Sequence, residues 1–435
     1  MHRFLLLLLM LLAGGPARAG SADVDLARQA FQFGFPIYEM ARTRSAATML
    51  MPTNMLGHRR TLSDASSRWV TTPNNDTLYS TAWLDLRAGP VLLTMPAVPD
   101  RYHSAALMDV FTDNFAILGT RNQGGKGGVY AIAGPDWTGD LPDNAVLVRA
   151  RSNDVWLLIR TLVDGPQDLE AARIAQDGFK LAAVNATSGT DPRAAPPSPD
   201  VATFINVVGE MLGRSSVPAL HRDRLARLSA SGLVAGATWE GLTAAQQAVW
   251  QANFAGFQSE LREGLALLGE THAGWSYGKS NVGDFGQDDL LRASIALGGL
   301  AALPPVEAMY MTGKTDGSGQ PLAGGRTYRL RIPPGGLPLR GFWSLSMYQV
   351  EPDGRLFFVD NPANRFAVGD RTEGLRKNAD GSLDILISRD PPKDQTRSNW
   401  LPAPAGPFRL IMRAYLPNPD LLNGNWRLPA IEPVP

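Results

Sequence analysis

The chain has 435 residues, 41 of them basic and 41 acidic, and no cysteine. The even charge balance removes the usual electrostatic case for nucleic-acid or anionic-membrane binding and leaves a small-molecule or saccharide ligand as the expected partner. Without cysteine, thiol catalysis and cysteine-ligated metal are excluded and stability must come from packing. The length exceeds the roughly 250 to 300 residues at which a single core stops growing, so two or more domains are expected.

Met1-His2-Arg3, the apolar run Phe4 to Ala13, Gly14-Gly15-Pro16 and Ala17-Arg18-Ala19 read as a signal peptide cleaved after Ala19, which predicts a periplasmic or secreted protein. The run is about half of the roughly 20 residues needed to cross a bilayer, and no later stretch reads as a span, so the mature chain is expected to carry none. From Val24 to Leu50, Leu26, Ala30, Phe33, Ile37, Met40 and Ala41 recur at helical spacing, with an interruption expected near Pro36.

Short β-rich runs follow at Leu78 to Leu86, Val91 to Met95, Ser104 to Val110, Phe115 to Thr120, Val129 to Ala133, Val146 to Arg149 and Val155 to Leu162. Such close spacing predicts an antiparallel sandwich or barrel. Asp164-Gly165-Pro166 then reads as the capped start of a helix with Leu169, Ala172, Ile174 and Phe179 on its apolar stripe. Ala183 to Pro197 reads as an exposed connector. Further helices are predicted at Val201 to Leu212, Ala219 to Leu228, Ala244 to Leu268 and Asp288 to Leu300.

After Pro304-Pro305 the strand pattern returns at Tyr328 to Ile332, Gly341 to Gln349, Leu356 to Val359, Leu383 to Ser388 and Pro407 to Leu416. Asp380-Gly381 reads as a type I′ hairpin turn. The expected division is a signal peptide at 1–19, a helical lead-in with a β domain at 20–165, a helical middle at 166–303 and a second β domain at 304–435.

Two stretches resemble a known bacterial pairing, the domain of unknown function 1254 followed by the domain of unknown function 1214. The first resemblance rests on Pro73-Asn74-Asn75-Asp76-Thr77-Leu78-Tyr79-Ser80, Ala82-Trp83-Leu84-Asp85-Leu86, Gly89-Pro90, Arg101-Tyr102, Asp109 and Gly119-Thr120-Arg121. The second rests on Phe342-Trp343-Ser344-Leu345-Ser346-Met347-Tyr348, Asn361-Pro362, Asn364-Arg365-Phe366, Gly369-Asp370-Arg371, Asn378, Asp380-Gly381-Ser382-Leu383 and Asn399-Trp400-Leu401-Pro402-Ala403-Pro404. The resemblance implies β-sandwich domains with helical additions, in agreement with the pattern. The expected class is α+β: two antiparallel, jelly-roll-like β-sandwich domains, an N-terminal helix and a helical middle segment. The resemblance implies no activity.

Candidate chemistry concentrates in the matched motifs. Asn74, Asn75 and Asp76 ahead of a strand, with Tyr79 beyond, are residue types suited to β-elimination, where an amide neutralises a uronate and a tyrosine or histidine removes its neighbouring proton. The alternative is that they bond their own backbone to build a turn. Asp109 with Asp113, Asn114 and Asp85 could supply paired carboxylates for glycoside hydrolysis, and His103 is the best-placed general base. Arg365, Trp343 and Tyr348 could hold a sugar or carboxylate, as could Arg371, Arg397, Arg409 and Arg413. No cofactor is expected and no metal site stands out, although Asn378, Asp380, Ser382 and Asp384 alternate like early calcium ligands without the late glutamate. Gly278-Lys279-Ser280 and Gly124 to Gly128 fail nucleotide-loop spacing, and no G-x-S-x-G elbow occurs. Two functions remain: an exported enzyme cleaving a saccharide or envelope molecule by hydrolysis or β-elimination in a cleft between its β domains, or a non-catalytic periplasmic binding or envelope-associated protein.

Overall fold

A computed structural model describes residues 20–68, 71–185, 191–264, 269–352, 354–393 and 395–434. The expected signal peptide lies outside the described residues. Among those described, no helix is long and apolar enough to cross a membrane.

The lead-in is one continuous helix, Ser21–Thr48, and the expected interruption at Pro36 does not occur. Proline removes one backbone bond, at about 3 kcal/mol in a helix interior. Here the face carrying Phe31, Phe33, Ile37 and Tyr38 is buried against Phe204, Trp250, Phe254 and Phe257 from Val201–Gly213 and Ala244–Gly264, which outweighs that loss. Residues 265–268, expected to extend the second of these helices, lie outside the described residues. Asp289–Gly299 completes the helical layer.

Two local expectations need correction. The helix Leu169–Asp177 starts behind a tight turn at Pro166–Asp168, and Asp168 rather than Asp164 stands at its head. The Asp168 carboxylate accepts the Asp164 backbone N–H at 2.7 Å and pairs with Arg101, so it ties the helix to the β unit instead of capping its first turn. The segment from Ala183 to Pro197 is not simply exposed: Lys180–Ala183 is a strand, Asp191 pairs with buried Arg44, Ala195 is buried, and the Tyr38 hydroxyl donates to the Pro196 carbonyl. Residues 186–190 lie outside the described residues.

The strands form two face-to-face sandwiches, as the α+β pattern predicts. Sheet I runs Gly57–His58, Thr77–Asp85, Asp154–Leu162, His103–Met108, Asn114–Gly119, all antiparallel. Sheet II runs Ala145–Arg149, Gly128–Ala133, Val91–Met95, Lys180–Ala183, with its first pair parallel. Ala82, Leu84, Ala105, Leu107, Val155, Leu157 and Ile159 alternate inward from sheet I and meet Val91, Leu93, Tyr130 and Ile132 of sheet II.

Sheet III runs Glu270–His272, Trp275–Tyr277, Ala308–Gly313, Phe408–Tyr415, Trp343–Val350, and the last of these also pairs with Leu356–Phe357 and Ala367–Gly369. Its first two strands come from upstream of Pro304-Pro305. Sheet IV runs Trp400–Pro402, Leu383–Ser388, Thr327–Ile332, Ile431–Val434, again with one parallel pair, Leu383–Ser388 with Trp400–Pro402. Asp380-Gly381 makes a turn but not the expected hairpin: only Gly381 has positive φ, and Leu383–Ser388 pairs with Thr327–Ile332 rather than with the chain before the turn.

Gly119 ends sheet I with φ of 139°, and a Cβ there would lie 2.3 Å from the His103 carbonyl oxygen. Gly119→Ala therefore combines backbone strain with a backbone clash and is expected to cost at least about 2 kcal/mol in denaturant unfolding. Gly256→Ala, in open space on the helix Ala244–Gly264, is expected to be neutral or to stabilise by about 0.5–1 kcal/mol. Equal midpoints for the two variants would contradict this.

Candidate functional site

Strand alternation gives sheets I and III a second face each, and these faces meet. On sheet III, Leu345, Met347, Leu410 and Met412 enter the sandwich core, which turns Ser344, Ser346, Tyr348, Arg413 and Tyr415 toward the first β unit. On sheet I, Tyr79, Arg160 and Ser104 lie in register across three strands on the face opposite Leu107, Leu157 and Ile159. An apolar patch joins them: Tyr102, Ala106 and Ile117 against Leu303, Ala308, Phe342 and Tyr415, with the Phe342 and Tyr415 rings stacked 4.1 Å apart.

The segment Thr72 to Asp76 threads between the sheets and is held from both sides. Asn74 Oδ1 accepts the Asp76 backbone N–H at 2.6 Å, the turn-forming bond expected of an asparagine here, while its Nδ2 donates to the Tyr415 hydroxyl at 2.8 Å. Asp76 is 6 % exposed. Its Oδ2 accepts from Ser344 Oγ at 2.6 Å and its Oδ1 from Arg371 Nη2 at 3.0 Å. The Arg371 guanidinium lies 4.2 Å from the Phe342 ring centre and also donates to the Val163 carbonyl. Tyr348 donates to the Pro73 carbonyl at 2.6 Å, and Arg413 donates to Ser346 Oγ and the Thr72 carbonyl. Nearby, buried Glu307 accepts from Tyr102 at 2.8 Å and from Arg121 at 2.6 Å, which gives the Gly119-Thr120-Arg121 motif a role in the same junction. Burial raises the Tyr102, Tyr348 and Tyr415 phenols above their ordinary range.

Of the residues singled out in the sequence, the fold thus gathers Asn74, Asp76 and Tyr348 in one network. Asn75 adjoins them, half-buried, with its Oδ1 buried and unpartnered. Tyr79 is the cross-strand neighbour of Arg160, whose guanidinium lies 5.5 Å from its ring centre. His103 is fully buried in an edge-on contact with Phe179, its Nδ1 3.1 Å from the Arg101 carbonyl oxygen, and burial lowers its pKa. Trp343 is buried at the start of its strand, its backbone N–H pointing to Asp370. Arg365 donates to the carbonyls of Arg397, Ser398 and Trp400 and so ties its loop to the segment that leads into Trp400–Pro402. Asp380 bonds Ser382, Asn378 bonds Ser382, and Asp384 pairs with Arg331. Among the described residues no group of three or more histidine or acidic side chains is placed to hold a metal.

Asp109 and Asp85 occupy different charge clusters. Asp109 Oδ1 accepts the backbone N–H of Phe111 and Asp113, while Asp113 pairs with Arg292 at 2.7 Å and accepts the Phe285 N–H. Burial, then the Asp113 charge, raises the Asp109 pKa. Asp85 pairs with Arg87 and Arg214, the latter shared with Asp154. Arg160, Glu307 and Tyr310 were not singled out in the sequence. Arg160 and Tyr310 carry only alternation, a polar residue at an outward strand position that becomes informative once a second sheet covers it, and Glu307 stands in the turn just before Ala308–Gly313.

Two β-sandwich units joined through a polar seam, with a helical layer beside them, define the class. Residues 53–183 match the family model described as a protein of unknown function (DUF1254) and residues 307–419 match that described as a protein of unknown function (DUF1214). The chain belongs to the family that pairs these two domains. Among solved structures it is similar to the VPA0106 protein from Vibrio parahaemolyticus, at 26% identity and a TM-score of 0.76 over 95% of this chain and 100% of that one. It also aligns with a putative uncharacterized protein from Burkholderia cenocepacia at 12% identity and a TM-score of 0.45, over 94% of each chain. No curated protein matches.

Two measurements check the site. In a double-mutant cycle, Asn74→Ala and Tyr415→Phe are expected to couple by about 1 kcal/mol, the worth of one buried hydrogen bond; strict additivity would mean the bond does not form. His221, 1 % exposed, packs 4.3 Å from the Phe111 ring and is lowered to about 3 by burial first and by Arg292 and Arg224 next. Between pH 6.5 and 3 the unfolded chain takes up a proton here that the folded chain refuses, so stability falls as pH falls, by up to about 1.4 kcal/mol per unit. His221→Gln is expected to remove that acid slope, measured as the difference between the two proteins' unfolding energies at pH 4.5 and 7. A pH-independent difference would contradict the assignment.

Proposed function

We propose that this protein is an exported, non-catalytic protein of the bacterial envelope that holds a small ligand rather than converting one. The observation that carries the reading is the state of Asp76, the carboxylate at the centre of the strongest motif. Both of its oxygens are engaged, one by Ser344 and one by Arg371 of the other β unit. A general base or acid needs an oxygen within hydrogen-bond reach of substrate. Supplying one here would mean separating the two sheets and stripping the carboxylate of its partners.

The same bonds weigh against a saccharide-cleaving enzyme, because side chains fill the space between the β units where the cleft would lie. Of the other acid–base candidates, Asp85 is paired with Arg87 and Arg214, and Asp109 and His103 are fully buried away from the seam, with Asp109 Oδ2 and His103 Nε2 unpartnered. The signal-like residues 1–19 support export.

Incubation of the mature protein with acidic and neutral polysaccharides, with and without calcium, is expected to yield neither unsaturated ends nor reducing sugar. Turnover that disappears in Asp76→Asn would overturn the non-catalytic reading. Expression in a Gram-negative host is expected to deliver a periplasmic protein beginning at Gly20; a membrane-bound product still beginning at Met1 would overturn export.

A further inference from the structure

Arg160 is a buried cation without a buried anion. It is 5 % exposed, its Nη2 donates to the Ala301 carbonyl at 3.0 Å, and its Nη1 has no partner. Among the described residues no carboxylate pairs with it. After burial, the groups acting most strongly on it are the phenols of Tyr79, Tyr310, Tyr415 and Tyr102. Burial raises three of these, Tyr310, Tyr415 and Tyr102, so they are uncharged at neutral pH and cannot balance the guanidinium. A buried charge left this way costs several kcal/mol unless something else meets it.

The unpartnered Nη1 belongs to a residue that lines a narrow recess on the outer face of sheet I, bounded by Ala106, Met108, Asn114, Trp156, Leu158 and Ala301. Asn114 brings a complementary vacancy. Its Nδ2 donates to the Gly283 and Ala302 carbonyls, and its Oδ1 is buried without a donor. The remaining wall is apolar. A second narrow recess lies against the same Met108 and Ala301. The roof common to both is the short segment after Asp289–Gly299, where Ala301 holds a φ of 68° that a non-glycine residue adopts only under constraint. Both recesses are too narrow for a water-sized sphere as they stand, so entry requires this roof to shift.

We infer that this recess is a binding site for a small hydroxy acid, its carboxylate on Arg160, its hydroxyl donating to Asn114, and its short carbon body against Met108, Trp156 and Leu158. An arginine is suited to that role because its fork keeps its charge at every relevant pH and can give a second N–H to a carboxylate while retaining the first on Ala301. Because the recess does not admit a water-sized sphere as it stands, only a small acid is accommodated by a local shift of the roof. The inference rests on the binding reading above and names its ligand. Turnover of a bound acid would sink that reading and keep the site, whereas absence of acid binding would sink the site alone.

Thermal shift and titration calorimetry on the full mature protein test it, with lactate and 3-hydroxybutyrate as probes, lactamide as the uncharged counterpart and sodium chloride matched for ionic strength. The expected result is saturable binding of at least one acid, no binding of lactamide, and at least a tenfold loss of affinity in Arg160→Met. Arg160→Lys, which keeps a buried cation in place but not the fork, is also expected to lose at least tenfold in affinity, so a folding defect in the methionine variant cannot stand in for the result. No saturable binding by either acid, equal binding of lactamide, or binding unaffected by both substitutions would overturn the inference.

Discussion

A carboxylate buried in one β unit is neutralised by the other. Asp76 comes from the loop that opens sheet I, and its charge is met by Arg371 and its second oxygen by Ser344, both from the unit built on sheets III and IV. Breaking one side of such a pair while the other stays buried costs about 3 to 5 kcal/mol. That cost fixes the relation of the two units, and the rest of the seam follows the same rule. Asn74 reaches Tyr415, Tyr348 reaches the Pro73 carbonyl, Arg413 reaches the Thr72 carbonyl, and Glu307 receives Tyr102 and Arg121. Each unit completes the hydrogen bonding of the other.

This constraint sorts the candidate chemistry. Polar side chains in the two family motifs have the composition of an active site, and in this fold most of them are spent on one another. What distinguishes a group with spare capacity is an unfilled bond in a buried place. Arg160 meets that description on the same face of sheet I, one strand across from Tyr79, and Asn114 meets it nearby. The seam and the recess therefore divide the work: the first sets the geometry, and the second retains a charge that only a ligand or solvent can balance.

Much of the fold was legible in the sequence because local signals and tertiary demands agree. The runs beginning at Leu78, Val91, Phe115 and Val155 alternate as half-buried strands must, and Ala219–Leu228 and Leu383–Ser388 fall where the pattern puts them. The failures have physical causes. Pro36 looked like a break, but burial of the phenylalanines beside it holds the helix through it. The central strand Ala308–Gly313 is not legible as one because Pro304-Pro305 before it and Gly313 at its end read as loop, and only pairing with Phe408–Tyr415 shows it as a strand. At the site, Asn74 and Asp76 were legible as residues of consequence but not their partners, since the bonds to Tyr415 and Ser344 span 341 and 268 positions. Arg160 carries no signal beyond alternation, because a lone arginine at an outward strand position looks solvated until a second sheet covers it.

The claim that the two β units form one cooperative body through Asp76 is most directly tested by scanning calorimetry of the mature protein and of Asp76→Ala. The account predicts a single transition for the wild type, split in the variant into two transitions, at least one of them at lower temperature, as the units lose their shared charge pair. A wild type that already melts in two independent steps, or a variant that keeps a single transition at the wild-type temperature, would contradict it.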